Sequence, residues 1–189
     1  MALTDEQLVS ALNNGNLSAF NDLYKRYSNR LLYYFYRMLG NSNEKAQDFL
    51  QDIFIKLIDK ASTFDSSKKF STWIFSIAHN MCKNEYRRLQ VRKDLSIEKH
   101  HENITDNDID FDIQDIDLDE FKRELFTELD IFDEIHKSVF LLHYREGFSL
   151  KDIGQTLNIS EGTVKSRLFY TRKRLAEKLI KYYPYNQNY

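Results

Sequence analysis

The sequence predicts an all-α protein of two small helical domains joined by a flexible acidic linker. Three observations point there. The 189 residues include only 5 Gly and 1 Pro, so little interrupts a helix. Apolar residues recur at helical spacing through both halves. Composition then shifts once: Glu102 to Glu120 holds nine acidic residues and no Lys or Arg. The expected boundaries are 1–93 for the first domain, 94–117 for the linker and 118–183 for the second domain.

Apolar content is 42% and aromatic content 14%, enough for real cores in modest units. The net charge of −2 argues against nucleic acid only if charge is spread evenly, and it is not. The lone Cys82 excludes an internal disulfide and suits a reducing cytoplasm. The first residues, MALTDEQLVSALNNGN, form a capped amphipathic helix rather than a signal peptide. No apolar run approaches the ~20 residues of a membrane span. The expectation is a cytoplasmic protein without membrane insertion.

In the first domain Thr4 and Gln7 form a capping box, Leu8, Val9 and Leu12 face inward, and Gly15 ends the helix. Asn16 caps a long second helix, with Ala19, Phe20, Leu23, Tyr24, Tyr27, Leu31, Leu32, Phe35, Met38 and Leu39 along one stripe. Ser42 starts a third. Its apolar face is Ala46, Phe49, Leu50, Ile53, Phe54, Leu57 and Ile58, and Asp48, Gln51, Asp52, Lys56 and Asp59 form a polar row opposite. On spacing alone that row is ordinary solvent exposure. A polar loop, Ala61–Phe70, carries two aromatics and two lysines. In the next helix Trp73, Ile74, Ile77, Ala78, Met81 and Cys82 face inward, while Ser76, His79, Asn80, Lys83 and Arg87 face out. Lys83, Arg87, Arg88, Arg92 and Lys93 stand against Glu85 alone. Such a basic helix with exposed amides and nearby aromatics suits a DNA surface as well as plain solvation.

The acidic stretch interleaves Asp and Glu with Ile, Phe and Leu, a pattern of flexible segments. Asp106, Asp108 and Asp110 have D-x-D-x-D spacing. A calcium loop fails, because Phe111 stands where Gly is needed and Asp117 where a bidentate Glu is needed.

The second domain opens with two stripes: Phe121, Leu125, Phe126 and Leu129, then Ile135, Val139, Phe140, Leu142 and Tyr144, ended by Gly147. Ser149 and Asp152 cap the next helix, with Ile153 and Leu157 buried. Asn158-Ile159-Ser160 turns the chain: Asn tolerates a left-handed backbone and Ser160 caps the last helix. Val164, Leu168, Leu175 and Leu179 mark its inner face. At about 100° per residue, Gly162, Ser166, Phe169, Tyr170 and Lys173 point away from the core, with Lys165, Arg167, Arg172 and Arg174 on the flanks. Over Glu161–Lys181 seven basic residues face two acidic ones. This is the helix-turn-helix pattern, in which the second helix lies in a DNA major groove; the plainer alternative, a solvated basic helix ending a small bundle, fits turn, caps and face less well. A phosphate loop, C-x-x-C and nucleophile elbow are all missing, so no catalytic site and no cofactor are expected. His79 and Cys82 share a helix turn without further ligands, and no metal is expected there.

With both halves placed, the chain resembles the extracytoplasmic-function (ECF) sigma factors of bacteria. KAQDFLQDIFIKL resembles a D-x-x-Q-[DE]-x-F segment of sigma region 2. FSTWIFSIAHNMCKNEYRR resembles the segment that follows it. YREGFSLKDIGQTLNISEGTVKSRLFYTRKRL resembles region 4. The resemblance implies a subunit that binds core RNA polymerase, at the β′ clamp helices and the β flap, and reads promoter DNA. It implies that Asp48, Gln51, Asp52 and Lys56 meet the clamp helices. The −10 element would meet Asn80 with His79, Lys83 and Arg87, and the loop holding Phe64, Lys68, Lys69 and Phe70 would receive a flipped base. Lys165, Ser166, Arg167, Phe169, Tyr170 and Lys173 would read the −35 element. An anti-sigma factor is an implied partner, and the free protein is expected to be monomeric. Trp73 faces inward and is expected to be core.

Two other readings compete: a helix-turn-helix regulator that binds an operator alone, as a dimer, and a module that only sequesters a partner. The region-2-like half favours the first reading, since a simple repressor has no use for it. The acidic linker, tethered between two basic surfaces, is also expected to lie over them in the free protein and to compete modestly with DNA.

Overall fold

Side-chain caps set most helix ends before packing is considered. Thr4 Oγ1 accepts from the Gln7 N–H at 3.3 Å while Gln7 Oε1 accepts from the Thr4 N–H at 2.9 Å, which opens α1, Asp5–Asn13. Asn16 caps α2, Leu17–Met38, and Ser42 caps α3, Asn43–Lys60. A 3-10 turn, Ala61–Thr63, and a loop lead to α4, Phe70–Leu95. α5 is Ile116–Asp130. Asp133 caps α6, Glu134–Tyr144, Ser149 caps α7, Leu150–Leu157, and Ser160 caps α8, Glu161–Lys178. A last 3-10 turn is Ile180–Tyr182.

The computed structural model describes the backbone at 3–95 and 116–182 and side chains at 3–92 and 120–182. Among these residues the fold is all-α, in two compact units. Most of the acidic stretch, the D-x-D-x-D run, Lys93 as a side chain and the proposed cover of the basic surfaces lie outside the described residues.

The first unit is built on α2, which packs on α1, α3 and α4. Leu23, Leu31, Phe35, Met38, Ile53, Leu57, Ile74, Phe75, Ala78 and Cys82 are almost wholly buried. Burying a large aliphatic or aromatic side chain contributes about 1.5–3 kcal/mol, so these residues carry most of the unit's stability. The stripes are narrower than expected. Leu12 is only half-buried, and Tyr24 and Ile58 are exposed, because neighbouring helices cover less of α1, α2 and the end of α3 than the apolar spacing suggests. Burial also holds the Cys82 thiol far above its ordinary value, so it is an inert core group.

The second unit is built around α5, α6 and α8, with α7 leading into α8. Leu129, Val139, Leu142, Ile153, Val164, Leu168, Leu175 and Leu179 are buried. Tyr144, expected on a buried stripe, is 50% exposed at the end of α6 and rests against Phe140, with ring centroids 4.8 Å apart.

Candidate nucleic-acid interface

The turn between α7 and α8 is built tightly. Ser149 Oγ accepts from the Asp152 N–H at 3.1 Å and donates to Asp152 Oδ2 at 2.7 Å, fixing the start of α7. Asn158 takes φ 54 and ψ 49, the left-handed conformation its type tolerates. The Gly154 carbonyl then accepts from the Ile159 N–H at 3.0 Å. A Cβ at Gly154 would lie 2.9 Å from the Ile159 carbonyl oxygen, so this close approach requires glycine. Ser160 Oγ accepts from the Thr163 N–H at 3.0 Å and starts α8. The angle of α8 to α7 follows from these bonds.

With Val164, Leu168, Thr171 and Leu175 buried, α8 turns Lys165, Ser166, Phe169, Tyr170, Arg172 and Lys173 outward. Phe169 and Tyr170 are each 62% exposed and meet edge-on, with centroids 5.5 Å apart. A groove of about 550 Å³ runs beside them, lined by His143, Leu150, Lys165, Leu168, Phe169 and Lys173 among others. Large exposed aromatics ringed by cations on one helix are a surface that awaits a partner with both apolar and anionic parts.

Arg167, expected on the flank of that face, is half-buried. Its Nη1 lies 3.3 Å from Asp133 Oδ2 and 2.9 Å from His136 Nδ1, at the start of α6. Asp133 Oδ1 meanwhile accepts from the Ile135 and His136 N–H groups at 3.0 and 2.9 Å, and its 2.9 Å contact with His136 Nδ1 completes the cluster. His136 Nδ1 cannot donate to Asp133 and accept from Arg167 at once, so two proton arrangements compete. Burial pushes the Asp133 carboxyl up, but the His136 N–H, the imidazole and the Arg167 charge together hold it below its ordinary value.

In the first unit the loop before α4 rests on an aromatic cluster. Phe70 is 1% exposed and meets Tyr27 edge-on, with centroids 5.0 Å apart. Phe64 packs against Phe70 at 5.8 Å and Trp73 at 5.3 Å. Asp65 Oδ1 accepts from the Ser67 N–H and Oγ at 3.0 and 2.7 Å, which turns the loop and leaves Lys68 and Lys69 exposed. Along α4, Asn80 and Arg87 are exposed and Lys83 is half-exposed. On α3, Asp48, Gln51 and Asp52 are exposed and Lys56 is half-exposed, and Ile55 lies between them at 58% exposure.

Residues 23–92 match the family model Sigma-70 region 2, and residues 133–175 match Sigma-70, region 4. Over 185 residues the chain is 32% identical to the ECF RNA polymerase sigma-E factor of Haemophilus influenzae, covering 94% of this chain and 96% of that protein. The chain belongs to the ECF RNA polymerase sigma factors. It is also 28% identical over 188 residues to the ECF RNA polymerase sigma factor SigW of Bacillus subtilis, covering 95% of this chain and 98% of that one. Two solved structures share the fold. The sigma factor RpoE from Bartonella quintana, solved in complex with the anti-sigma factor NepR, matches with a TM-score of 0.72 at 22% identity, over 86% of this chain and 96% of its own. CnrH, in complex with the cytosolic domain of CnrY, matches with a TM-score of 0.68 at 22% identity, over 94% and 97%.

As a sigma factor, the protein directs promoter-specific transcription initiation by RNA polymerase, and it is an initiation factor rather than a catalytic subunit. Among its described residues no helix is long and apolar enough to cross a membrane.

Two residues of this sigma factor correct the expected surface. His79 is 5% exposed rather than outward, with Nδ1 3.5 Å from the Tyr34 hydroxyl, because α2 covers that side of α4. Phe70 is the first residue of α4 and part of the core rather than an exposed loop aromatic. Arg167 is tied to α6. Trp73, expected as core, is half-buried against Phe64 and Phe70. The exposed Ile55, inside the polar row of α3, was not singled out in the sequence. Its place between Gln51 and Asp59 at helical spacing was the available signal.

Proposed function

We propose that the two units of this sigma factor divide the promoter between them. Residues 118–183 lay α8 in the major groove of the −35 element. Residues 1–93 hold core polymerase and take the −10 element. The exposed pair Phe169 and Tyr170, at 62% each with Lys165 and Lys173 beside them, carries the −35 assignment. Apolar edges suit thymine methyls and stacked sugar faces, and the lysines suit phosphates. Ser166 and Arg172 complete that surface, with Arg167, held to α6, at its flank.

In the first unit Asn80, Lys83 and Arg87 meet the −10 DNA. Lys68 and Lys69 hold its backbone beside the Phe64–Phe70 loop, where an extruded base stacks. His79 and Phe70 act from beneath, as supports. On α3, Asp48, Gln51, Asp52 and Lys56, with Ile55 among them, face the β′ clamp helices. The second unit meets the β flap. The linker segment 94–117 joins the two, and an anti-sigma factor competes for the same surfaces. The protein works in the cytoplasm, is monomeric when free, and has no catalytic site, cofactor or metal of its own.

Footprinting of the holoenzyme tests this reading. Phe169→Ala with Tyr170→Ala should remove protection at −35 and leave core binding intact. Protection unchanged at −35 would reject the assignment.

A further inference from the structure

Helix α1 precedes the stretch that matches Sigma-70 region 2, which begins at residue 23. Its polar side chains nevertheless converge on the loop between α3 and α4. Asn13 Nδ2 donates to the Ala61 carbonyl at 2.9 Å, where the loop begins. Glu6 Oε1 accepts from the Phe70 N–H at 2.9 Å, where the loop ends and α4 starts. Asp5 Oδ2 accepts from the Tyr27 hydroxyl at 2.5 Å, and the Tyr27 ring is the edge-on floor beneath Phe70. Asp5 is itself held by Arg26 at 2.6 Å. One nine-residue helix therefore fixes both ends of the loop and the aromatic ring under it.

We propose that α1 is a brace for promoter opening, with Glu6 and Asn13 as its positioning residues. The proposal rests on the reading that the Phe64–Phe70 loop receives the extruded base. Extrusion costs a few kcal/mol of stacking, and the base must find its pocket already formed. An unbraced loop would have to be ordered at that moment, which subtracts from the binding available. The Asp65–Ser67 turn orders the middle of the loop, and α1 holds it at both ends.

The test uses the full chain with core RNA polymerase. The template is a promoter fragment selected by run-off transcription, carrying 2-aminopurine at the −10 position that unstacks. Glu6→Ala and Asn13→Ala should each slow the fluorescence rise about three- to tenfold, the range of one lost hydrogen bond. Affinity for core polymerase should stay unchanged. Glu6→Gln keeps an acceptor for the Phe70 N–H and should restore the rate. Asn13→Asp keeps the size but loses the donor, and should behave as Asn13→Ala does. Phe64→Ala should also slow opening.

Two results overturn the brace alone: normal opening in Glu6→Ala and Asn13→Ala when Phe64→Ala is slow, or loss of core affinity in parallel with opening, without rescue by Gln. Normal opening in Phe64→Ala would remove the loop's role and the brace with it.

Discussion

Arg167 of α8 and His136 of α6 lie 2.9 Å apart, Nη1 to Nδ1, and this pair ties α8 to α6 within its unit. Arg167 Nε is buried nearby with no hydrogen-bond partner among the described residues, so these residues hold the guanidinium by one edge. Arg167→Ala should destabilise the second unit by about 1 kcal/mol, or roughly 4–8 °C in Tm for a unit of this size. Calorimetry of the whole chain would resolve it. A Tm unchanged within a degree would mean that the cluster contributes nothing.

Asp133 gives that cluster a pH signature. Folded, its carboxyl takes up a proton below its ordinary value near 3.8. The stabilisation is therefore complete above that value and fades as pH falls below it. Asp133→Asn keeps an N-cap for α6 but removes the charge. Wild type should be the more stable near neutrality, and the two should converge in acid-unfolding curves as pH falls through the lowered value of Asp133. A gap that persists at low pH would assign the effect to the cap alone.

Gly154→Ala should be far worse than a small change in size suggests. The new methyl would sit 2.9 Å from the Ile159 carbonyl oxygen, and that atom belongs to the turn itself. The expected cost is about 1–3 kcal/mol, since backbone must move. Chemical denaturation would measure it, and loss of −35 protection should accompany it.

Phe169→Ala and Tyr170→Ala should leave stability within about 0.5 kcal/mol, because both rings are mostly exposed. Their effect should appear only with promoter DNA. Lys173→Ala should weaken promoter binding across sequences and lower the salt slope by about one. A slope that stays the same would place Lys173 away from phosphate.

Much of this was legible from local chemistry. Thr4, Asn16, Ser42, Ser149 and Ser160 cap where their types predict, and Asn158 takes the left-handed turn, because each of these depends on a few adjacent residues. Helical spacing also separated the buried Val164 and Leu168 from the exposed Phe169 and Tyr170. It failed where the third dimension decides. α4 touches α1, α2 and α3, so a wheel that assigns one buried side put His79 outside when it is inside, and missed Phe75 altogether. Phe70 looked like a loop residue because nothing nearby in sequence shows that Tyr27 lies across it. Nor could spacing show that Arg167 touches Asp133 and His136, which are about thirty residues away.

On the function proposed above, two helical units, each with a basic face, specify a start site only when core polymerase carries them both. Transcript start-site mapping with purified bacterial core polymerase, with and without this chain, tests it most directly. The chain should bind core, and new, discrete 5′ ends should emerge downstream of a shared pair of promoter elements. Failure to bind core, or binding that leaves the start sites where core alone places them, would contradict it.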